Sequence, residues 1–173
     1  LNCAILMENI LIGRQKELKL LNDLKQKNSS SFVAVFGRRR VGKTFLIRNA
    51  FEGRFTFQLT GLGRGGLKRQ LNNFYAAFVK QMPPGVEVPF PKDWFWAFQQ
   101  LTDWLESLPE GQKVIFLDEL PWFDTPQSGF VTALEHFWNS WASARRDILL
   151  IVCGSAASWI IHNLINNRGG LHN

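Results

Sequence analysis

Between Ser31 and Phe51 the chain passes from a short β-branched and aromatic run, SFVAVF, through GRRRVGKT into KTFLIRNAF, with helical apolar spacing at Phe45, Leu46 and Phe51. Strand, glycine loop and helix in that order constrain the fold more than any other feature of the sequence. The loop from Gly37 to Thr44 fits G-x-x-x-x-G-K-[ST]. Its glycines let successive backbone N–H groups turn inward, while the helix that follows aims the positive end of its dipole at the same point. A polyphosphate suits such a cradle. Lys43 would reach the β- and γ-phosphates, and the Thr44 hydroxyl would bind Mg²⁺. A chance match in a chain of 173 residues has odds of about one in a hundred from average residue usage.

The rest of the chain repeats the alternation. RFTFQLT reads as a second strand, and LKRQLNNFYAAFVKQM as a helix with Leu67, Leu71, Phe74, Phe78 and Met82 on one face, stopped by Pro83 and Pro84. DWFWAFQQLTDWLESL is a further helix, with Trp94, Phe98, Leu101, Leu105 and Leu108 in line. KVIFLDE is a continuous apolar run of the kind found in a strand covered on both faces. SGFVTALEHFWNSWAS is helical, with Ser128 as its N-cap and Val131, Leu134, Trp138 and Trp141 on its inner stripe. DILLIVCGS is another buried strand, and AASWIIHNLINN another helix. Apolar strands alternating with helices imply a parallel α/β sheet with helices on both sides.

VIFLDE places Asp118 and Glu119 at the C-terminal end of its strand, the edge at which open α/β sheets bind ligands. Neighbouring residues at a strand end point differently and can divide the work. Asp118 suits a Mg²⁺ ligand acting through water, and Glu119 suits the orienting or deprotonation of the water that attacks a γ-phosphate. Two acids after a strand are usually a solvated turn; their pairing with the upstream loop is what makes them specific. A GTP switch protein usually carries a glycine three residues after the magnesium aspartate and an Asn-Lys-x-Asp motif. Here Asp118 leads into ELPW and no such motif occurs, so ATP is the expected nucleotide.

The net charge of +6 and pI near 9.7 fit a polyanionic partner, and Arg38, Arg39 and Arg40 supply half of that excess. Charge alone does not choose between a nucleotide and a nucleic acid. Side chains at such loop positions are expected to point away from a cradle built of backbone. Cys3 and Cys153 form neither a disulfide framework nor a metal-ligand spacing, which points to a reducing, cytoplasmic setting. LNCAILMENILIG lacks a basic leader region and a cleavage signature and reads as a packed arm. No apolar run approaches the roughly 20 residues of a membrane helix.

IGRQKE, FGRRRVGKT, VIFLDELPW, LIVCGS and NNRGGLHN together resemble the ATPase core of archaeal-type and bacterial AAA-like ATP-binding proteins, relatives of the STAND signal-transduction ATPases. The resemblance spans nearly the whole chain. It implies a P-loop NTPase three-layer sandwich of the ASCE type, with a mostly parallel sheet, one core domain over residues 1–173 and an adenine-side segment at 1–31. It also implies Mg-ATP in a cradle formed by Gly37, Arg38, Arg39, Arg40, Val41, Gly42, Lys43, Thr44 and Phe45. Gly13, Arg14 and Glu17 map beside the adenine, and Ser155 maps onto the sensor position ending the fourth core strand. Arg168 is a candidate arginine finger serving a neighbouring subunit, although a surface arginine beside a glycine turn is the commoner case. Members of the family continue into a fifth core strand, a helical lid and C-terminal domains, so the chain is expected to be the front part of a longer protein. Contacts with DNA through such domains, and self-association, are the further partners the resemblance suggests. A regulatory module that binds ATP without turning it over, an ATP-driven DNA machine and a small-molecule kinase stay open as alternatives, the kinase opposed by Glu119.

GLGRGG at residues 61–66 also satisfies G-x-G-x-x-G after a strand and before a helix. A dinucleotide fold would then need a strand ending in an acid about 20 residues on. That region is KQMPPGVEVP, which proline makes unsuitable. The stretch is instead expected to be a mobile loop on the nucleotide side. Trp96 and Trp104 leave their helix apolar on several sides and mark a candidate interface, while His136, His162 and His172 show no ligand spacing.

Overall fold

The computed structural model describes residues 14–165. Its four strands, β1 (Ser31–Phe36), β2 (Phe57–Thr60), β3 (Lys113–Asp118) and β4 (Ile148–Gly154), form one sheet in the order β1-β4-β3-β2, with every pairing parallel. The register pairs Phe36 with Gly154 and Thr60 with Asp118, so all four strands finish at the same edge. Six helices accompany them: α1 (Gln15–Lys25), α2 (Lys43–Ala50), α3 (Leu67–Val79), α4 (Trp94–Ser107), α5 (Phe130–Ser140) and α6 (Ala157–Ile160).

Every residue of β3 and β4 is buried, and the side chains alternate between two separate cores. Ile115, Leu117, Ile148, Leu150 and Val152 pack with α3, α4 and α5, whereas Val114, Phe116, Leu149, Ile151 and Cys153 pack with α1 and α2. A period of two with apolar residues at both phases is the pattern of a strand covered on both faces. The result is the expected three-layer sandwich. Phe116 is fully buried, and removing a side chain of that size from such a layer costs about 3–5 kcal/mol. Aromatic rings fill the core on the α3–α5 side, where Trp94 meets Phe74, Phe123 and Phe130 edge to face.

Several local expectations are corrected. Helix α5 is capped by Gly129 in the left-handed region rather than by Ser128, whose Oγ accepts from the Phe130 N–H at 3.3 Å. Phe45 does not join the inner stripe of α2; it is exposed, and Leu46, Ile47 and Ala50 face the core. The last helix is a single α turn that widens into a π turn over Ile161–Ile165. Trp104 packs against the core beside Phe57 and Phe78, while Trp96 stays exposed beneath the Lys92 ammonium.

At the opposite edge, where β3 and β4 begin, Asp147 accepts from Lys113 and from Arg145, each at 2.8 Å. Lys113 is buried and also donates to the carbonyls of Pro109 and Gly111. Hydrogen bonding to Arg145, reinforced by Lys113, holds the Asp147 carboxyl well below the usual carboxylate range.

Candidate functional site

The loop between β1 and α2 turns through Arg40 and Gly42, both with left-handed backbones, and Gly42 serves as the N-cap of α2. Left-handed residues within such a loop are what lets successive backbone N–H groups form a nest for an anion. Lys43 is buried beneath the loop, its Nζ donating to the carbonyls of Arg38 at 2.8 Å and Gly37 at 3.0 Å. An ammonium has three protons, so one remains for a ligand in the cradle. Arg14, just before α1, donates from Nη2 to the Val41 carbonyl at 2.7 Å and ties that segment to the loop. Glu17 lies on the exposed face of α1.

Asp118 ends the fully buried strand β3 and is itself buried. Its carboxylate accepts from Thr44 Oγ1 at 3.1 Å and from the Glu119 N–H at 2.9 Å. Among the described residues no cluster of three His, Cys, Asp or Glu side chains could hold a metal by itself. A hydroxyl and a carboxylate, both hard oxygen donors, fit an ion that keeps most of its waters and shares phosphate oxygens, which is the habit of Mg²⁺. Cys153 lies beneath this pair; burial first, then the nearby Asp118 carboxylate, pushes its thiol up to about 12, so it is a packing group and not a nucleophile.

Glu119 has φ 49°, a left-handed backbone that costs energy in a residue with a Cβ and that clusters at functional sites. The strain is held in place from both sides. A Cβ on Gly61, at the end of β2, would lie 2.7 Å from the Glu119 carbonyl oxygen, and one on Gly154, at the end of β4, 2.7 Å from Cδ of Pro121. Glycines thus stand at the end of β4 and just past the end of β2, and the 3₁₀ turn over Leu120–Trp122 lies against both. Ser155 follows Gly154 and donates from Oγ to Glu119 Oε2 at 3.2 Å.

GLGRGG is anchored, which corrects the expectation of a mobile loop. Gln70, fully buried on α3, accepts from the Leu62 N–H at 3.1 Å and donates to the Leu62 and Trp122 carbonyls, each at 2.7 Å. Sequence reasoning missed Gln70, Gly61, Gly154 and Trp122. A signal existed for the first: Gln70 interrupts the apolar stripe formed by Leu67, Leu71 and Phe74, and a polar side chain facing a core needs partners.

Arg39, Arg40, Gly42, Lys43, Thr44, Phe45, Glu119 and Trp122 line one cleft of about 590 Å³, within the range for small-molecule sites. Arg39 and Arg40 belong to the lining of this cleft and Arg38 does not; the Arg39 side chain turns in, its Nε donating to Ser155, against the expectation that side chains at these positions point away. A larger cavity of about 730 Å³ opens between α3 and α4, away from these groups. Gly13 and Arg168 lie outside the described residues.

Solved structures with this fold include a Walker-type ATPase of Pyrococcus abyssi, at TM-score 0.59 and 18% identity over 93% of this chain and 50% of that one. Cdc6p of Pyrobaculum aerophilum matches at TM-score 0.64 and 15% identity over 98% of this chain and 45% of that one. In sequence, an uncharacterised protein of Methanocaldococcus jannaschii is 29% identical over 112 residues, which is 65% of this chain and 22% of the relative. An uncharacterised ATP-binding protein of the same organism is 36% identical over 45 residues, 26% of this chain and 76% of that one. The chain therefore spans about half or less of the first of each set. Residues 11–173 match the ATPase domain found predominantly in Archaea, and the chain belongs to that family.

Proposed function

We propose that this domain binds Mg-ATP in the cleft between the phosphate loop and Glu119 and hydrolyses it, as the nucleotide-dependent switch of a longer AAA-like, STAND-related protein in the cytoplasm. The observation that carries the reading is the meeting of Thr44 Oγ1 with the Asp118 carboxylate at 3.1 Å, with Lys43 under the loop and Glu119 on the next residue. Separate pieces of sequence come together there, which supports a site for phosphoryl transfer to water.

Backbone N–H groups of residues 37–44 and the free Lys43 proton would hold the phosphates. Thr44 and Asp118 would hold Mg²⁺, which when bound neutralises charge on the β- and γ-phosphate oxygens. Glu119 would orient the attacking water and take its proton. Exposed Phe45 would offer an apolar surface for the base, and the resemblance maps Gly13 and Arg14 to the same side of the nucleotide. Arg168 as a finger, DNA contact and self-association are proposals for the whole protein. Among the described residues no helix is long and apolar enough to cross a membrane.

The test is Glu119→Gln in the full-length protein. Mg-ATP affinity stays near that of the parent while turnover falls about 10²-fold or more. Equal slow turnover in parent and variant, with binding intact in both, would replace the enzyme by a module that only binds and releases ATP.

A further inference from the structure

The Arg39 guanidinium donates from Nε to Ser155 Oγ at 3.3 Å, and Ser155 Oγ donates to Glu119 Oε2 at 3.2 Å. A guanidinium has no acceptor, and an ionised carboxylate has no donor. The hydroxyl between them therefore has one consistent orientation: its oxygen receives Arg39, and its single proton goes to Glu119. Without Arg39 that hydroxyl is free to turn its proton elsewhere, and the Glu119 side chain loses its fixed partner.

The Glu119 backbone needs no such help. Its N–H is held by Asp118, its carbonyl oxygen accepts from the Trp122 N–H at 2.9 Å, and Gly61 and Gly154 close the turn on either side. What those contacts leave undetermined is the carboxylate itself. Ser155 engages Oε2 and leaves Oε1 for another partner. Arg39 also lines the cleft beside Lys43, so one side chain borders the phosphate cradle and, through Nε, touches the group that sets Glu119.

We infer that Arg39 is a positioning residue that sets the Glu119 carboxylate through the Ser155 hydroxyl, a role distinct from clamping phosphate. This rests on the proposal that Glu119 orients the attacking water. It separates Arg39 from Arg38 and Arg40, neighbours of the same charge.

The experiment is a double-mutant cycle in the full-length protein, reading kcat and, separately, equilibrium Mg-ATP affinity. Arg39→Ala and Ser155→Ala each lower kcat about 10-fold, the size of one modest hydrogen bond, with a smaller change in affinity. The double variant loses no more than about threefold beyond either single one. Ser155→Thr, which keeps the hydroxyl, restores turnover. Arg39→Lys does not, because an ammonium lacks the planar Nε–H geometry. In a Glu119→Gln background Arg39→Ala has no further effect on kcat. Losses that multiply, an unchanged kcat in Arg39→Ala, or a loss of affinity alone overturn the inference and assign Arg39 to the phosphates or to neither. If Glu119→Gln itself turns over like the parent, the proposed function fails instead, a result visible before the cycle is read.

Discussion

Thr44 Oγ1 lies 3.1 Å from Asp118 Oδ2, although 74 residues separate them. The first opens α2 and the second closes β3, so the contact exists only when the phosphate loop sits at the C-terminal edge of a correctly ordered sheet. Under the proposed function these two hard donors would share a magnesium ion that keeps most of its waters. Asp118→Asn removes one negative charge while keeping the shape. The Mg²⁺ concentration needed for half-maximal turnover should then rise about 10-fold or more, with nucleotide binding in the absence of Mg²⁺ little changed. A titration of Mg²⁺ at fixed ATP gives the answer, and an unaltered midpoint would remove Asp118 from the metal site.

Lys43 touches the loop before any reaction begins, through Gly37 and Arg38. The phosphate contact proposed for it would be made in the ground state and in the transition state alike, so Lys43→Ala should weaken Mg-ATP affinity and turnover together. Calorimetric binding beside steady-state rates measures both. A loss confined to kcat would mean that Lys43 acts on the transition state alone.

The turn carrying Glu119 should be sensitive to single methyl groups placed outside the cleft. Gly154→Ala forces a Cβ against the Pro121 ring at 2.7 Å and should cost about 1–3 kcal/mol of stability and lower turnover with it. Gly61→Ala pushes on the Glu119 carbonyl from the other side. Gly63→Ala is the control, because its Cβ meets the Trp122 ring at an ordinary 3.6 Å and should change stability by under about 0.5 kcal/mol. Thermal melts of the three variants rank these contacts directly.

Acid should remove the contribution of the far edge of the sheet only below the ordinary carboxylate range. The folded Asp147 carboxyl is depressed below its unfolded value by Arg145 and Lys113, so its contribution is complete above the unfolded pKa and is lost as pH falls through the folded one. Asp147→Asn should therefore destabilise the protein at pH 7, with the difference from the parent shrinking below about pH 4. Denaturant midpoints taken at both values test the sign.

The layered fold was legible because β3 and β4 are apolar at both phases and every crossover is long enough to hold a helix. The meeting of Lys43, Thr44, Asp118 and Glu119 at one edge was legible because their positions are set by backbone geometry at a strand end and a helix start. Ser155 was placed by resemblance, and its bond to Glu119 then appeared at 3.2 Å. The arginines resisted reading. Which of Arg38, Arg39 and Arg40 faces the cleft depends on the left-handed turn at Arg40, and a non-glycine residue does not advertise that conformation. The anchoring of GLGRGG was hidden for a related reason: glycines speak of freedom, while the constraint came from Gln70, eight residues from Leu62 in sequence.

Asp147 and Lys113 fasten the sheet at one rim, and Asp118 and Glu119 occupy the other, separated by the length of β3, about 20 Å of extended chain. Variants at Asp147 therefore act on the melting point from a rim that shares no side chain with Asp118 and Glu119.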